Sequence, residues 1–498
     1  MRLPTQYFFP FSVITLMKKY ATIIILALAA ILAACTDDDT FSTSVGNTLT
    51  FSTDTVKLDT VFSRVPSTTR TFWVYNNSGN GIRCRSVRLK SGNQTGLRVN
   101  VDGIYLGGSQ GYQTSEIEIR DKDSIRVFVE LTAPNNNRKG PQLIDDDLVF
   151  TLESGVEQKV NIRGYSWDAD IYNNVLEISH DTTITQGDKP IILQQGLKVD
   201  SGATLTVAEG TTLYFGQRAG IDVYGCLKTT GTAEKNVVLR GDRIDRMFDY
   251  LPYDRVPGQW QGIRFHESSY DNSLDYTDLH SAYNGIVCDS SALDRTKLKA
   301  YNTTIHNCQG YGIITVCSVV DLWNCQITNT LHDCAAFYGG RATLRHCTLA
   351  QFYPFDANRG AALRFANTAD GNDSPLDISV YNSLITGYAD DVLMGDISEK
   401  GKAEYVFDHC IIRTPKPTTA DSTRFTSVVF ENIKDTTAVT GEKHFMKIDA
   451  DKQYYDFHLS KRSPAIDAGT PLPSPWSLTD HDGLKRDDRP DIGCYEYR

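Results

Sequence analysis

The residues best suited to chemistry cluster in one insertion, Gly241 to Gln261, which reads GDRIDRMFDYLPYDRVPGQWQ. Phe248, Tyr250, Tyr253 and Trp260 stand there beside Asp242, Arg243, Asp245, Asp254 and Arg255. Aromatic faces flanked by carboxylates and guanidiniums suit sugar stacking or contact with a protein. Arg243, Tyr250, Tyr253, Asp254 and Trp260 are therefore the candidate binding residues. The competing reading is a loop folded onto its scaffold, with its aromatics buried as a satellite core. His280 and His306 share one position of a repeat and would stand side by side as an exposed pair, an arrangement that metal or acid–base chemistry can use. They lack a register-matched carboxylate, so a structural role is the plainer reading. Asp390-Asp391 reads as a solvated loop pair. The Asp480-x-Asp482-Gly483 turn lacks the further ligands of an EF-hand loop and reads as a capping turn. No catalytic residue and no metal ligand is assigned, no Cys-x-x-Cys pair suggests zinc, and no cofactor is implied.

The elements that must position these side chains are set by an internal repeat. Windows centred on Thr277, Thr303, Cys325, Cys347, Ser383 and Cys410 align in four columns. One is apolar (Leu274, Ala300, Leu322, Leu344, Val380, Phe407), one is the small central column, and one is aliphatic (Leu279, Ile305, Ile327, Leu349, Ile385, Ile412). The fourth precedes the small residue: Tyr276, Asn302, Asn324, His346, Asn382, His409. The apolar and small columns are three residues apart, so strand parity breaks between them. A bend must lie there, and Asn tolerates the left-handed backbone it requires. Stacked amides can also bond along the axis. The spacings of 26, 22, 22, 36 and 27 residues predict a coil of three short strands per turn with loops bulging from some turns. The pattern predicts an all-β chain whose residues 171–465 form a right-handed parallel β-helix, with 466–498 as its C-terminal cap.

Ahead of it, residues 48–166 alternate apolar and polar residues over seven or so short stretches, among them Phe72-Trp73-Val74-Tyr75 and Ile125-Arg126-Val127-Phe128-Val129. That predicts a small Ig-like β-sandwich. Past Cys35 there are ten cysteines, an even number, which invites a disulfide reading. Yet Cys325 and Cys347 fall in the inward small column, where parallel side chains fit a disulfide torsion poorly; buried free thiols are expected.

The first residues carry an address. Lys18 and Lys19 open an apolar run, Ile23 to Leu32, that ends in small residues and reads as a secretion signal within residues 1–34, with Met17 a candidate true start. Its loss removes Arg2, Lys18 and Lys19 and takes the formal net charge from −11 to −14. An acidic chain without a basic cluster argues against nucleic acid and against electrostatic binding to anionic lipid. About 460 remaining residues call for at least two domains.

Several of these stretches carry resemblances. Leu32-Ala33-Ala34-Cys35 resembles the lipobox of bacterial lipoproteins, which implies cleavage before Cys35 and its acylation. The acidic run Thr36-Asp37-Asp38-Asp39, within a tether over 35–47, looks like the export signal of outer-membrane lipoproteins of the Bacteroidota. That implies lipid anchoring in the outer membrane on its extracellular face. Val74 to Gly79, Val129 to Pro134 and Val160 to Gly164 resemble Ig-like modules of the abnormal-spindle/hydin type. Leu205 to Phe215 and Trp260-Gln261-Gly262-Ile263 look like signatures of the pectin-lyase-like β-helix. The segment from Ser463 to Gly469, with Asp480 to Gly483 and Asp491 to Glu496, resembles the closing segment of bacterial β-helix surface proteins, which usually have Ala where Cys494 stands. The Gly-His-Gly and Asn-Thr-Asp signatures of polygalacturonases are absent. The expectation is a non-catalytic surface lipoprotein presenting its β-helix to a glycan or a partner protein. The alternatives are a carbohydrate-active enzyme, lyase or hydrolase, and a structural subunit of an outer-membrane complex.

Overall fold

The computed structural model describes residues 41–92, 95–418, 422–435, 437–473 and 478–498. Cys35 and the acidic run after it lie outside them. The described chain forms two compact units. The first comprises residues 41–57, Thr69–Glu130 and Asp145–Arg163; the second comprises Leu58–Thr68, Leu131–Ile144 and Gly164–Arg498. Two segments inside the expected sandwich range thus group with the second unit. There Phe62 packs edge-on against Tyr214 at 4.8 Å, and the Thr68 amide donates to Asp245 at 2.7 Å.

The first unit is built from antiparallel strands. Arg70–Asn76 pairs with Asp123–Leu131, and Ile82–Leu89 pairs with Gln142–Leu152, in separate sheets. Phe72, Val74, Val127 and Val129 are buried while their neighbours face outward, as period-two patterning requires. Phe51 and Phe150, one from each sheet, meet at 5.2 Å.

The second unit is dominated by a right-handed parallel β-helix. One parallel sheet of 11 strands takes one strand from every turn, from Asp170–Tyr172 through Thr212–Phe215, Thr277–His280 and Thr304–Cys308 to Val429–Phe430. A second sheet of 17 strands takes the remaining two from most turns, such as Ile221–Val223 and Cys226–Thr230. At Ile313–Trp323 and Ala335–Arg345 those two merge into single strands of 11 residues. The repeat columns are the register. Leu274, Ala300, Leu322, Leu344, Val380 and Phe407 are successive partners, as are Leu279, Ile305, Ile327, Leu349, Ile385 and Ile412, and all twelve are buried in one continuous core. The bend column is left-handed throughout, with φ of 42° at Tyr276, 49° at Asn302, 50° at Asn324, 50° at His346, 47° at Asn382 and 49° at His409. Asn324 Nδ2 donates to Asn302 Oδ1 at 3.0 Å, one link of the amide ladder. All ten cysteines of the described residues are free thiols.

The C-terminal segment packs along the side of the 11-stranded sheet. Ala350, Phe352, Leu384 and Ile411 form a second core with Phe445, Phe457, Leu459, Ala465, Ile492 and Cys494. Polar contacts pin the segment: Tyr495 Oη donates to Gln326 Oε1 at 2.9 Å, and the Cys494 amide to Thr348 Oγ1 at 3.1 Å. The Asp480 turn is a backbone-capping turn. Its carboxylate accepts from the amides of Asp482, Leu484 and Glu496 at 3.0, 2.7 and 3.0 Å.

Candidate functional site

The insertion leaves the helix after Val237–Gly241 and returns at Ile263–Phe265, and its five candidate residues do not converge. Trp260 is a correction to the binding set. It is fully buried, stacks on Phe215 at 4.4 Å and 13°, and donates Nε1–H to the His280 carbonyl at 2.8 Å. A ring sealed in the core cannot meet a ligand. Tyr250 is exposed and stacks on exposed Phe248 at 5.7 Å, away from the other candidates' contacts. Asp254 pairs with Arg240 at 3.5 Å, and its carbonyl accepts from the Ser281 hydroxyl. Arg243 and Tyr253 do come together, the guanidinium 4.0 Å from the ring centre. Arg243 is held from behind by buried Asp245 at 2.7 Å, which also accepts from the Thr68 hydroxyl at 2.9 Å.

Arg243 and Tyr253 form part of the wall of a cleft of about 910 Å³ within the second unit. Its other walls include Asp170, Gln194, Gln195, Gln217, Asp242 and Gln259, with Arg64 and Lys189 adding positive charge. Asp242 has the most telling surroundings. Burial pushes its carboxyl above the ordinary carboxylate range, and the amide of Gln194, donating at 3.0 Å, and nearby Arg243 only partly offset this. A carboxyl so placed can hold a proton at higher pH and deliver it to a leaving oxygen. The glutamines were missed in the sequence. Their signal was faint: Gln194 and Gln217 each follow a strand of the 11-stranded sheet, at the corner where the chain turns to the next face. Asp170 belongs to the first strand of that sheet.

Two further clusters decorate the helix. On one outer face, His266 Nε2 lies 2.8 Å from Asp222 and Nδ1 lies 3.4 Å from Asp289, with Tyr224 stacked on the imidazole at 3.9 Å and Arg264 on Asp289 at 3.0 Å. On the 11-stranded sheet, His280 and His306 are register partners, as the repeat implied, with ring centres 4.9 Å apart. The exposed, carboxylate-free pair expected there is corrected on two counts. His280 is buried, because the insertion folds over its strand, Ser281 donating to Asp254 and Asn307 Nδ2 to the Arg255 carbonyl at 3.0 Å. A carboxylate is also present. Asp278 Oδ1 lies 2.9 Å from His280 Nδ1 and 3.3 Å from His306 Nε2. Burial opposes charge on Asp278, but the two histidines outweigh it and hold the carboxyl well below its usual range. Burial lowers His280, against the pull of Asp278.

No protein-family model and no curated protein matches the chain. Among solved structures, it is similar to the catalytic domain of a GH87 α-1,3-glucanase in complex with nigerose, at 10% identity over 73% of this chain and 87% of that one, with a TM-score of 0.20. Dex49A from Penicillium minioluteum matches at 9% identity over 72% of this chain and 73% of that one, with a TM-score of 0.17. The VesB protease of Vibrio cholerae matches at 14% identity over 24% of this chain and 31% of that one, with a TM-score of 0.16, so the chain spans about a third of that protein's length. Likenesses this slight carry no weight for the activity; the fold stands on the strand register above.

Proposed function

We propose that the chain is a carbohydrate-active enzyme, a glycoside hydrolase, acting on a glycan held in the 910 Å³ cleft. One observation carries this reading over a purely binding role: the raised carboxyl of Asp242 in the cleft wall. A binding surface gains nothing from a carboxyl whose proton affinity is raised, whereas glycosidic cleavage needs one acid to protonate the leaving oxygen and a second carboxylate across the bond. Asp170 is the second carboxylate of the cleft. Planar amides from Gln194, Gln195, Gln217 and Gln259 match the paired donors and acceptors of vicinal hydroxyls, and Tyr253 offers ring surface. Arg64, Lys189 and Arg243 outnumber the two carboxylates and favour a glycan bearing uronic acids.

The test is a panel of neutral and uronic-acid polysaccharides with product analysis. Hydrolysis by the native chain, lost by about a hundredfold or more in Asp242→Asn with binding retained, supports the reading. Unsaturated products would make the enzyme a lyase. Binding without turnover would return the chain to a non-catalytic glycan-presenting role, and no binding at all would leave a protein partner as the ligand. We also propose that Cys35 is lipidated and anchors the protein to the outer membrane, facing outward. Labelled fatty acid incorporated by the native chain and not by Cys35→Ser checks the anchor, and protease accessibility in whole cells checks the face.

A further inference from the structure

The cluster on the 11-stranded sheet has a geometry the cleft does not use, and none of its three residues lines the cleft. We propose that Asp278, His280 and His306 bind one divalent transition-metal ion of the zinc class, through one carboxylate oxygen and one nitrogen of each imidazole. One ligand atom from each residue lies within 4.8 Å of the other two, and this is the one such grouping of His, Cys, Asp and Glu found among the described residues. The fold produces it by register. Asp278 and His280 are two apart on one strand and share a side of the sheet, and His306 is the partner of His280 on the next turn.

The distances fit a small ion. Metal–ligand bonds of about 2.1 Å at tetrahedral angles place ligand atoms about 3.4 Å apart. His306 Nε2 and Asp278 Oδ1 already stand at 3.3 Å, and His280 Nδ1 at 2.9 Å from that oxygen needs to open by only about half an ångström. Two imidazoles and one carboxylate suit zinc, iron, nickel or copper over calcium or magnesium, and three protein ligands leave a fourth position open. The cluster at Asp222, His266 and Asp289 is different in kind. There a single imidazole spends its two nitrogens on two carboxylates, a linear chain with no common centre.

The experiment titrates Co2+ and Zn2+ into the untagged, metal-stripped protein, comparing native, His306→Gln and His266→Gln chains. His306 is a fifth exposed, so its replacement leaves the core packed, and unfolding midpoints without metal confirm that. The expected result is one ion per chain for the native and His266→Gln proteins. His306→Gln should bind more than about tenfold more weakly. Zn2+ should raise the unfolding midpoint of the native chain and not that of His306→Gln. Failure of the native chain to bind, equal binding by His306→Gln, or a thiolate-to-cobalt absorption band placing the ion on cysteine would each overturn the proposal.

Discussion

Asn324 ties the ladder of bends to the C-terminal segment, and its replacement tests both. Its backbone is left-handed at φ 50°, and its side chain is buried. Nδ2 donates to Asn302 Oδ1 at 3.0 Å and to the Thr479 carbonyl at 2.9 Å, while Oδ1 accepts from the Arg486 guanidinium at 3.0 Å. Two neutral hydrogen bonds contribute about 0.5–1.5 kcal/mol each, and the bond from a charged group about 1.5–3 kcal/mol. A left-handed residue with a Cβ adds roughly 1–2 kcal/mol of backbone cost, which Asn is better able to bear than Ala. Asn324→Ala should therefore destabilise by about 3–5 kcal/mol. Asn324→Gly loses the same bonds but not the backbone comfort, and the greater freedom of glycine when unfolded takes back about 0.4–1 kcal/mol of that gain. The glycine variant should thus be more stable than the alanine variant by about 0.5–1 kcal/mol. Guanidinium unfolding followed by tryptophan fluorescence measures both. If alanine is tolerated within about 0.5 kcal/mol, or glycine proves worse than alanine, the left-handed bend is not what selects Asn in this column.

Other outcomes follow from the same contacts. Trp260→Ala should cost about 3–5 kcal/mol in thermal or chemical unfolding, as for any large core ring, whereas exposed Tyr250→Ala should stay within about 0.5 kcal/mol. Glu431 is buried and accepts from Thr386, Arg413 and His444 at 2.9, 2.9 and 3.0 Å. Burial opposes its charge, but His444 and Arg413 prevail and its acid is depressed. The stability it contributes is complete above the ordinary glutamate range, near 4.3, and is lost as pH falls through the lower folded value. Glu431→Gln should cost about 3–5 kcal/mol at pH 7 and flatten the acid limb of a stability–pH titration. Burial pushes Cys288, Cys308, Cys334 and Cys410 up to about 12. Of the described thiols, only partly exposed Cys226 and Cys317 should react with a thiol reagent in the native protein at mild alkaline pH, and all ten after unfolding.

The architecture was legible because a β-helix is nearly one-dimensional. Each turn meets only its neighbours, so a residue's environment repeats at an offset the sequence displays. That is why the columns from Leu274 to Phe407 and from Leu279 to Ile412 proved to be register partners without exception, and why a line of Asn and His marked left-handed bends. The same locality put His280 opposite His306. What the periodic pattern could not convey was anything brought in from outside the repeat. Trp260 looked like a binding ring because tryptophan beside charged residues has no period to mark it as core; the tertiary structure stacks it on Phe215 and seals it in the continuous core. His280 counted as exposed until the insertion crossed its strand, and the Asp278 carboxylate went unnoticed because it precedes His280 by two places and has no acidic counterpart at Thr304 on the next turn. Asp242 acquires its raised carboxyl from the enclosure around it, which Arg243 and Gln194, the latter 48 residues away along the chain, only partly offset. Sequence alone determined the scaffold, because local alternation and stacking are repeated many times over. The tertiary structure decided the site, because a cleft is made where loops of unequal length fold back on that scaffold, and no repeat encodes where they land.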